Sequence, residues 1–267
     1  IVLLGDIFDF EVPGKNNSDI IKDLMVQDDE RFLEKIERYT GKYVLIYITG
    51  CHFHLVTDAI AARKIFYCTW RKKLWIASQS HLLAKVLGLS KTENNSKLKY
   101  YHSEDFERLV HSNIGNTTYY DEIYQLIPNH YLDINHYQIR RFWPNYRIEF
   151  RPVEDVSIEC AEIIKGYMEA IVTRYEVMLP VTAGSDSRLL LAGARDMKED
   201  IYYYINKNIG VSDNHTDIRI PVKLFRKLKL DFHILELETE IDEEFKKIYL
   251  NNNPLATEKY QIGRAHV

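Results

Sequence analysis

The residues of this sequence best suited to chemistry lie in one segment, Leu179-Pro180-Val181-Thr182-Ala183-Gly184-Ser185-Asp186-Ser187-Arg188-Leu189-Leu190-Leu191-Ala192. An apolar strand runs into small residues and then into a helix. Small side chains at Ala183, Gly184 and Ser185 let backbone N–H groups converge on an anion. The helix that follows offers its unpaired N–H groups and positive dipole end to the same point. Thr182, Ser185 and Ser187 add hydroxyl donors. Asp186 has the wrong charge for a bare phosphate site, and a Mg²⁺ beside the phosphates is the natural reason for it. No Gly-Lys-Ser/Thr follows, so this is not the phosphate loop of kinases and GTPases. A strand-to-helix turn capped by Asp or Ser has the same residues, and the segment alone leaves both readings open.

Other reactive residues are weaker candidates. Cys51, Cys68 and Cys160 fall in two strands and a helix, where core packing is the expected role for each. His52 and His54 share a strand face that is expected to be an exposed polar one, with metal binding as the alternative. His215 and Asp217 precede a helix, where capping accounts for Asp217 nearly as well as chemistry does. Lys72-Lys73 and the stretch from Lys223 to Lys229 read as solvated surface.

The loop needs a strand before it and a helix behind it, and the second half of the sequence supplies both repeatedly. A long amphipathic helix is expected from about Glu154 to Arg174, with Val156, Cys160, Ile163, Ile164, Tyr167 and Ile171 on one face. Glu154 and Asp155 suit its positive end. Strand Val177 to Val181, helix Asp186 to Arg195, strand Ile201 to Ile205, helix Thr216 to Leu228 and strand Phe232 to Leu237 follow. This alternation predicts parallel β-α-β units with helices on both faces.

The first half reads differently. Ile1 to Leu4 is a short apolar run ended by Gly5. Tyr43 to Ile48, Phe53 to Thr57, Leu74 to Ala77, Tyr131 to Ile134 and Gln138 to Phe142 are strand candidates. Asp28 to Tyr39 places Phe32, Leu33, Ile36 and Tyr39 at helical spacing, and Ser80 to Leu87 is a short helix stopped by Gly88. A boundary near 145–153 therefore separates a β-rich α+β domain, residues 1–150, from an α/β parallel-sheet domain, residues 151–261.

Composition narrows the class. At 267 residues the chain can hold one large or two medium cores, and 46% hydrophobic with 28% charged residues is a soluble globular profile. A net charge of −4 argues against a nucleic-acid partner held on a broad basic face. No apolar run approaches the roughly 20 residues of a membrane helix. Three cysteines are too few and too scattered for a zinc cage or disulfide framework, which makes a reducing cytoplasm the simplest setting. Residues 262–267, Ile-Gly-Arg-Ala-His-Val, look like a translated sequencing adapter, in which case the natural chain continues past Gln261.

The loop resembles the Ser-Gly-Gly-x-Asp-Ser loop of the N-type ATP pyrophosphatases, with Thr182 for the Ser and Ala183 for the first Gly. Other stretches, in order, resemble the asparagine synthetase family. Gly5-Asp6-Ile7-Phe8-Asp9-Phe10 is similar to its Asn-Gly-Glu-Ile-Tyr-Asn, and Gly41 to Ile46 to its glycine, aromatic and apolar strand. Asp58 to Tyr67 resembles Asp-x-x-Gly-x-(Lys/Arg)-x-x-(Tyr/Phe)-Tyr, and Trp75-Ile76-Ala77-Ser78-Gln79 its Phe-Ala-Ser-Glu. Pro128-Asn129-His130 corresponds to Pro-Gly-His, and Phe142-Trp143 stands where Tyr-Trp is frequent.

The resemblance implies a glutaminase-like first domain, a β sandwich of the N-terminal-nucleophile hydrolase kind, and an ATP pyrophosphatase second domain, here truncated. The activity implied is attack of a small-molecule carboxylate on the α-phosphate of MgATP, followed by attack of ammonia, free or released from glutamine, or of another amine. Thr182, Ala183, Gly184, Ser185, Asp186, Ser187 and Arg188 would bind ATP and pyrophosphate, with Asp186 and Ser187 catalytic and Asp186 touching Mg²⁺. Arg188 stands where a small residue is usual, and either phosphate pairing or a helix-surface ion pair would account for it. Leu4 takes the place of the Asn that donates to the glutaminase oxyanion, and the acidic grip on the glutamine amino group is not recognisable before Asp28; a degenerate glutaminase is expected. Because the family's second acidic motif would lie beyond Gln261, the 267-residue chain alone is expected not to turn over. A relative acting on another carboxylate and a non-catalytic nucleotide-binding protein are the competing readings.

Overall fold

A computed structural model of the chain describes residues 1–26, 28–50, 52–109, 112–207, 211–236 and 242–252. Cys51, Leu237 and residues 262–267, on which expectations above fall, lie outside the described residues. The fold is mixed α and β, with antiparallel and parallel sheets. Two compact units are formed, one from Ile1–Ile7, Asn17–Glu149 and residues 250–252, the other from Phe8–Asn16 and Phe150–Tyr249.

The first unit contains all but the last two residues of β1 (Val2–Asp9), then α1 (Asn17–Leu24), α2 (Asp29–Ile36), β2 (Tyr39–Thr49), β3 (His52–Thr57), β4 (Phe66–Trp70), β5 (Lys73–Ala77), α3 (Ser80–Leu87), α4 (Asn95–Tyr101), α5 (Glu104–Arg108), β6 (Tyr124–Gln125), β7 (His130–Asp133) and β8 (Gln138–Arg141). β1-β2-β3-β7-β8 form one sheet and β5-β4-β6 another. Strand alternation sorts the cores. Tyr43, Leu45 and Tyr47 of β2 pack with Ile20, Leu24, Phe32 and Ile36 of the two first helices. Val44, Leu55 and Leu132, pointing the other way, meet Ile65, Leu126 and Tyr67 against the smaller sheet. Phe66 and Cys68 on the far side of that sheet cover Leu83 and Ala84 of α3. The order of layers is helix, sheet, sheet, helix.

Gly5 does not end the first strand. β1 continues through it because Gly5 adopts φ +113°, where a Cβ would strike the Lys42 carbonyl. Gly41 mirrors it at φ +145°, with its missing Cβ facing the Asp6 carbonyl. Both backbones approach so closely, and with such dihedrals, that only glycine fits. Gly41→Ala is expected to destabilise the first unit by about 3 kcal/mol, combining backbone strain with overpacking, read as a fall in its urea midpoint.

Three more details depart from the sequence expectation. Helix α2 stops at Ile36, and Tyr39 opens β2 instead of extending the helix. His54 is buried, its ring 4.6 Å from that of Tyr131, where an exposed polar face was expected. The β3 face it shares with Tyr47 is the helix-covered one. Cys68 is in the core as expected, and burial followed by the nearby Glu122 pushes its thiol up.

At the β7–β8 turn, Asp133 is buried and accepts from His136 Nδ1 at 2.8 Å and from the Asn135 and His136 amides. Burial alone would raise its pKa, but the His136 bonds outweigh this and hold it below the ordinary carboxylate value. A depressed folded-state pKa gives stability that is present above the unfolded value, near 3.9, and lost as pH falls through the folded one. Acid unfolding of the first unit should therefore be blunted in Asp133→Asn, whose stability would fall less between about pH 4 and pH 2.

The second unit is built from α6 (Val153–Arg174), β9 (Val177–Pro180), α7 (Ser185–Gly193), a 3-10 turn (Arg195–Asp200), β10 (Ile201–Lys207), α8 (Thr216–Leu228), β11 (His233–Glu236) and α9, which starts at Glu243 and ends at Asn252. The sheet β11-β10-β9 is parallel throughout. Its core joins Met168, Leu179, Val181, Leu191, Tyr203 and Phe225. Helix α6 is buried at Gly166, Met168 and Ala170, whereas Val156 and Cys160, expected on its inner face, are exposed. The covered positions all lie in the second half of α6, and its first turns are exposed. Gly166 lets the Phe10 backbone carbonyl lie directly against the helix.

Candidate functional site: the loop between β9 and α7

Strand β9 is followed by Val181, fully buried, whose N–H bonds the Tyr204 carbonyl at 2.9 Å. This fixes the chain level with β10 just before it turns. Thr182, Ala183 and Gly184 make the turn, and α7 begins at Ser185 with Gly184 as its extended N-cap residue. The loop opens at the carboxyl end of a parallel sheet, where ligands bind in open α/β folds.

The structure brings the seven expected residues together in one continuous turn, mostly exposed. It also shows that several of their groups bind each other. Thr182 N–H donates to Ser187 Oγ at 3.0 Å, and the two hydroxyls lie 3.2 Å apart. Gly184 N–H donates to Thr182 Oγ1 at 3.0 Å. A side chain at position 184 would crowd that hydroxyl, its Cβ falling 3.1 Å from Oγ1. Ser185 Oγ donates to Asp186 Oδ1 at 3.3 Å. The amides of Ser185 and Asp186, first in α7, have no acceptor within their own helix.

Two observations were not readable in the sequence. Ala183 N–H, expected to face an anion, donates instead to Asp217 Oδ1 at 3.1 Å, across 34 positions. His215 caps α8 by accepting from Asp217 N–H at 3.3 Å, which was expected of Asp217 rather than of the histidine. Arg188 Nε donates to the Gly184 carbonyl at 3.0 Å, one turn back.

The neighbouring strand ends are polar too. Lys207, last residue of β10, pairs with Asp213 at 2.7 Å and with Glu236 of β11 at 3.3 Å. Hydrogen bonds donated to these two carboxylates hold the Lys207 ammonium above its usual pKa. Sequence reasoning missed this group. Its only signal was a charged residue closing an otherwise apolar and aromatic strand.

No group of three or more His, Cys, Asp or Glu side chains suited to a metal ion occurs among the described residues. The single exposed carboxylate of Asp186 fits a Mg²⁺ that takes most of its ligands from phosphates and water. Two clefts in this unit, of about 360 and 540 Å³, lie at the amino ends of the strands, lined by residues such as Lys198, Tyr202 and His233 or Thr173 and Glu176. They face away from the loop and contain none of its residues. No helix among the described residues is long and apolar enough to cross a membrane.

No family model matches the chain, and no curated protein matches it. Among solved structures it is similar to the glutamine-dependent NAD⁺ synthetase from Acinetobacter baumannii in complex with adenosine diphosphate, at 13% identity and a TM-score of 0.28. That likeness covers 72% of this chain and 44% of the synthetase chain, so this chain spans less than half the length of that relative. At that score and identity it says nothing about activity.

Proposed function

We propose that this chain belongs to an ATP-dependent carbon–nitrogen ligase that activates a carboxylate as an acyl-adenylate and releases pyrophosphate. Residues 151–261 would be the ATP pyrophosphatase domain and 1–150 a glutaminase-like domain that has lost function. The observation that carries this reading is the loop itself. Strand, small-residue turn and helix N-terminus meet at the carboxyl end of a parallel sheet, with Thr182, Ser187 and Asp186 grouped around them.

In this reading the amides of Ser185 and Asp186 and the hydroxyls of Thr182, Ser185 and Ser187 hold the β- and γ-phosphates as charge builds on the leaving pyrophosphate. Thr182 and Ser187 exchange their mutual contact for phosphate oxygens. Asp186 would hold a Mg²⁺, which neutralises phosphate charge when bound. Arg188, turned back on Gly184, steadies the helix start. The helix, sheet, sheet, helix layering of the first unit supports the glutaminase-like assignment. Leu4, with an exposed side chain on β1, supports loss of that activity. Ammonia or an amine is then the nitrogen source, and an asparagine synthetase-type substrate or another small carboxylate the acceptor.

A nucleotide-binding protein without catalysis is the second reading, favoured by the internal satisfaction of the Thr182, Ala183 and Gly184 amides. ATP–pyrophosphate exchange in the full-length protein separates the two. Exchange that depends on one carboxylate is expected; ATP binding with no exchange for any carboxylate tested would favour the non-catalytic reading.

A further inference from the structure

We infer that Asp217 is a positioning residue of the phosphate loop: its carboxylate, carried on α8, fixes the peptide between Thr182 and Ala183 so that the following amides open toward an anion. This rests on the proposed reading of the loop as a phosphate site. The contact is Ala183 N–H to Asp217 Oδ1 at 3.1 Å.

The element that presents the carboxylate is firmly held. Ile218 and Phe225 of α8 are buried, and the Phe225 ring lies 4.8 Å from Tyr203 and 4.6 Å from Phe232. His215 Nδ1 accepts from the Asp217 amide and so anchors the backbone from which the side chain reaches. The loop, by contrast, is mostly exposed, and its own ties are short-range: Thr182 to Ser187, Gly184 to Thr182, Ser185 to Asp186 and Arg188 to the Gly184 carbonyl. Those ties set the shape of the turn but not its direction relative to the sheet. Beyond Val181, the Asp217 bond is the tie that binds the turn to the strand-helix framework among the hydrogen bonds described. A charged acceptor makes it stronger than a neutral one.

The same carboxylate brings a negative charge to the rim of an anion site. Position and charge therefore act in opposite directions on phosphate affinity. Asparagine at 217 keeps the oxygen acceptor and removes the charge; alanine removes both.

The test uses the 267-residue chain, with amide exchange followed by NMR and pyrophosphate binding by calorimetry without added metal. In Asp217→Ala, the Ala183 amide is expected to exchange about tenfold faster and pyrophosphate to bind about tenfold more weakly, at unchanged thermal stability. Asp217→Asn should leave the exchange rate near that of the unaltered chain and bind pyrophosphate at least as tightly. Should the alanine variant lose its fold, Asp217→Ser, too short to reach Ala183, replaces it. Exchange at 183 that is the same in the alanine or serine variant as in the unaltered chain overturns the inference. So does an asparagine variant that exchanges as fast as the alanine one. If the exchange pattern appears but the unaltered chain binds neither pyrophosphate nor MgATP, the nucleotide reading of the loop fails while the positioning role of Asp217 stands.

Discussion

Replacing Asp186 by alanine in the full-length protein is expected to reduce pyrophosphate release by about a thousandfold or more while leaving the fold intact. The two halves of that expectation have separate grounds. Asp186 is exposed at the first turn of α7, and the bond described for its side chain is the one from the neighbouring Ser185 hydroxyl. An exposed side chain with so little packing typically changes stability by less than about 0.5 kcal/mol when truncated. The favourable effect of an anion at a helix N-terminus is of the same small order. In the proposed reading, however, Asp186 would hold the metal beside the phosphates, and such a metal would contribute several kcal/mol to the stabilisation of developing charge. Each 1.36 kcal/mol is a factor of ten in rate. Thermal unfolding and a pyrophosphate-release assay on the same sample would check both halves. Release near the unaltered rate would show that the segment is a capped turn and nothing more.

The second large effect concerns the nitrogen source. Given ATP and its carboxylate, the full-length protein is expected to release pyrophosphate with ammonium and to form no glutamate from glutamine. Leu4 has no hydrogen to donate where the resemblance places an oxyanion donor, and loss of one such donor costs about a hundred- to a thousandfold in rate. The backbone N–H of Gly5 is a second potential donor, so the deficit is one of degree in the hole and of kind in the side chain. Glutamate appearing in step with pyrophosphate would show a working glutaminase and overturn the expectation. Silence with both nitrogen sources would favour the non-catalytic reading.

Much of the architecture was legible because it is local. Helix α3 with Gly88 behind it, helix α8 from Thr216 to Leu228 and the parallel β-α-β alternation follow from periodicity and punctuation over a few residues. The boundaries that moved did so where distant partners decide. Gly5 looked like a strand end because glycine usually is one; it is a crossing point because the Lys42 carbonyl lies where its side chain would be. His54 looked like surface because histidine usually is, and its burial depends on which face of β3 the helices cover. The inner face of α6 was read only in part: Ile163, Ile164, Tyr167 and Ile171 are half-buried, but the fully buried positions, Gly166, Met168 and Ala170, were not among those expected. The sheet and the Phe10 strip, rather than the apolar stripe, decide what is covered. In the candidate site, the order of small and hydroxyl residues was visible, whereas the Asp217 tie to Ala183 and the Lys207 cluster join residues that share no periodic relation.

The segment Phe8–Asn16 belongs to the second unit although the residues on both sides of it belong to the first. Its Phe10 carbonyl occupies the notch at Gly166, its Phe10 ring meets Tyr167 at 5.4 Å, and the Arg174 guanidinium lies 4.4 Å from the Phe8 ring. No single cut near residue 150 can therefore release the second unit whole. Expressed from 150 onward, it would carry an open slot along α6 with an unfilled notch and bare aromatic surface, a ready seat for another chain. Dissection of this protein would need the early peptide supplied in trans or spliced ahead of α6.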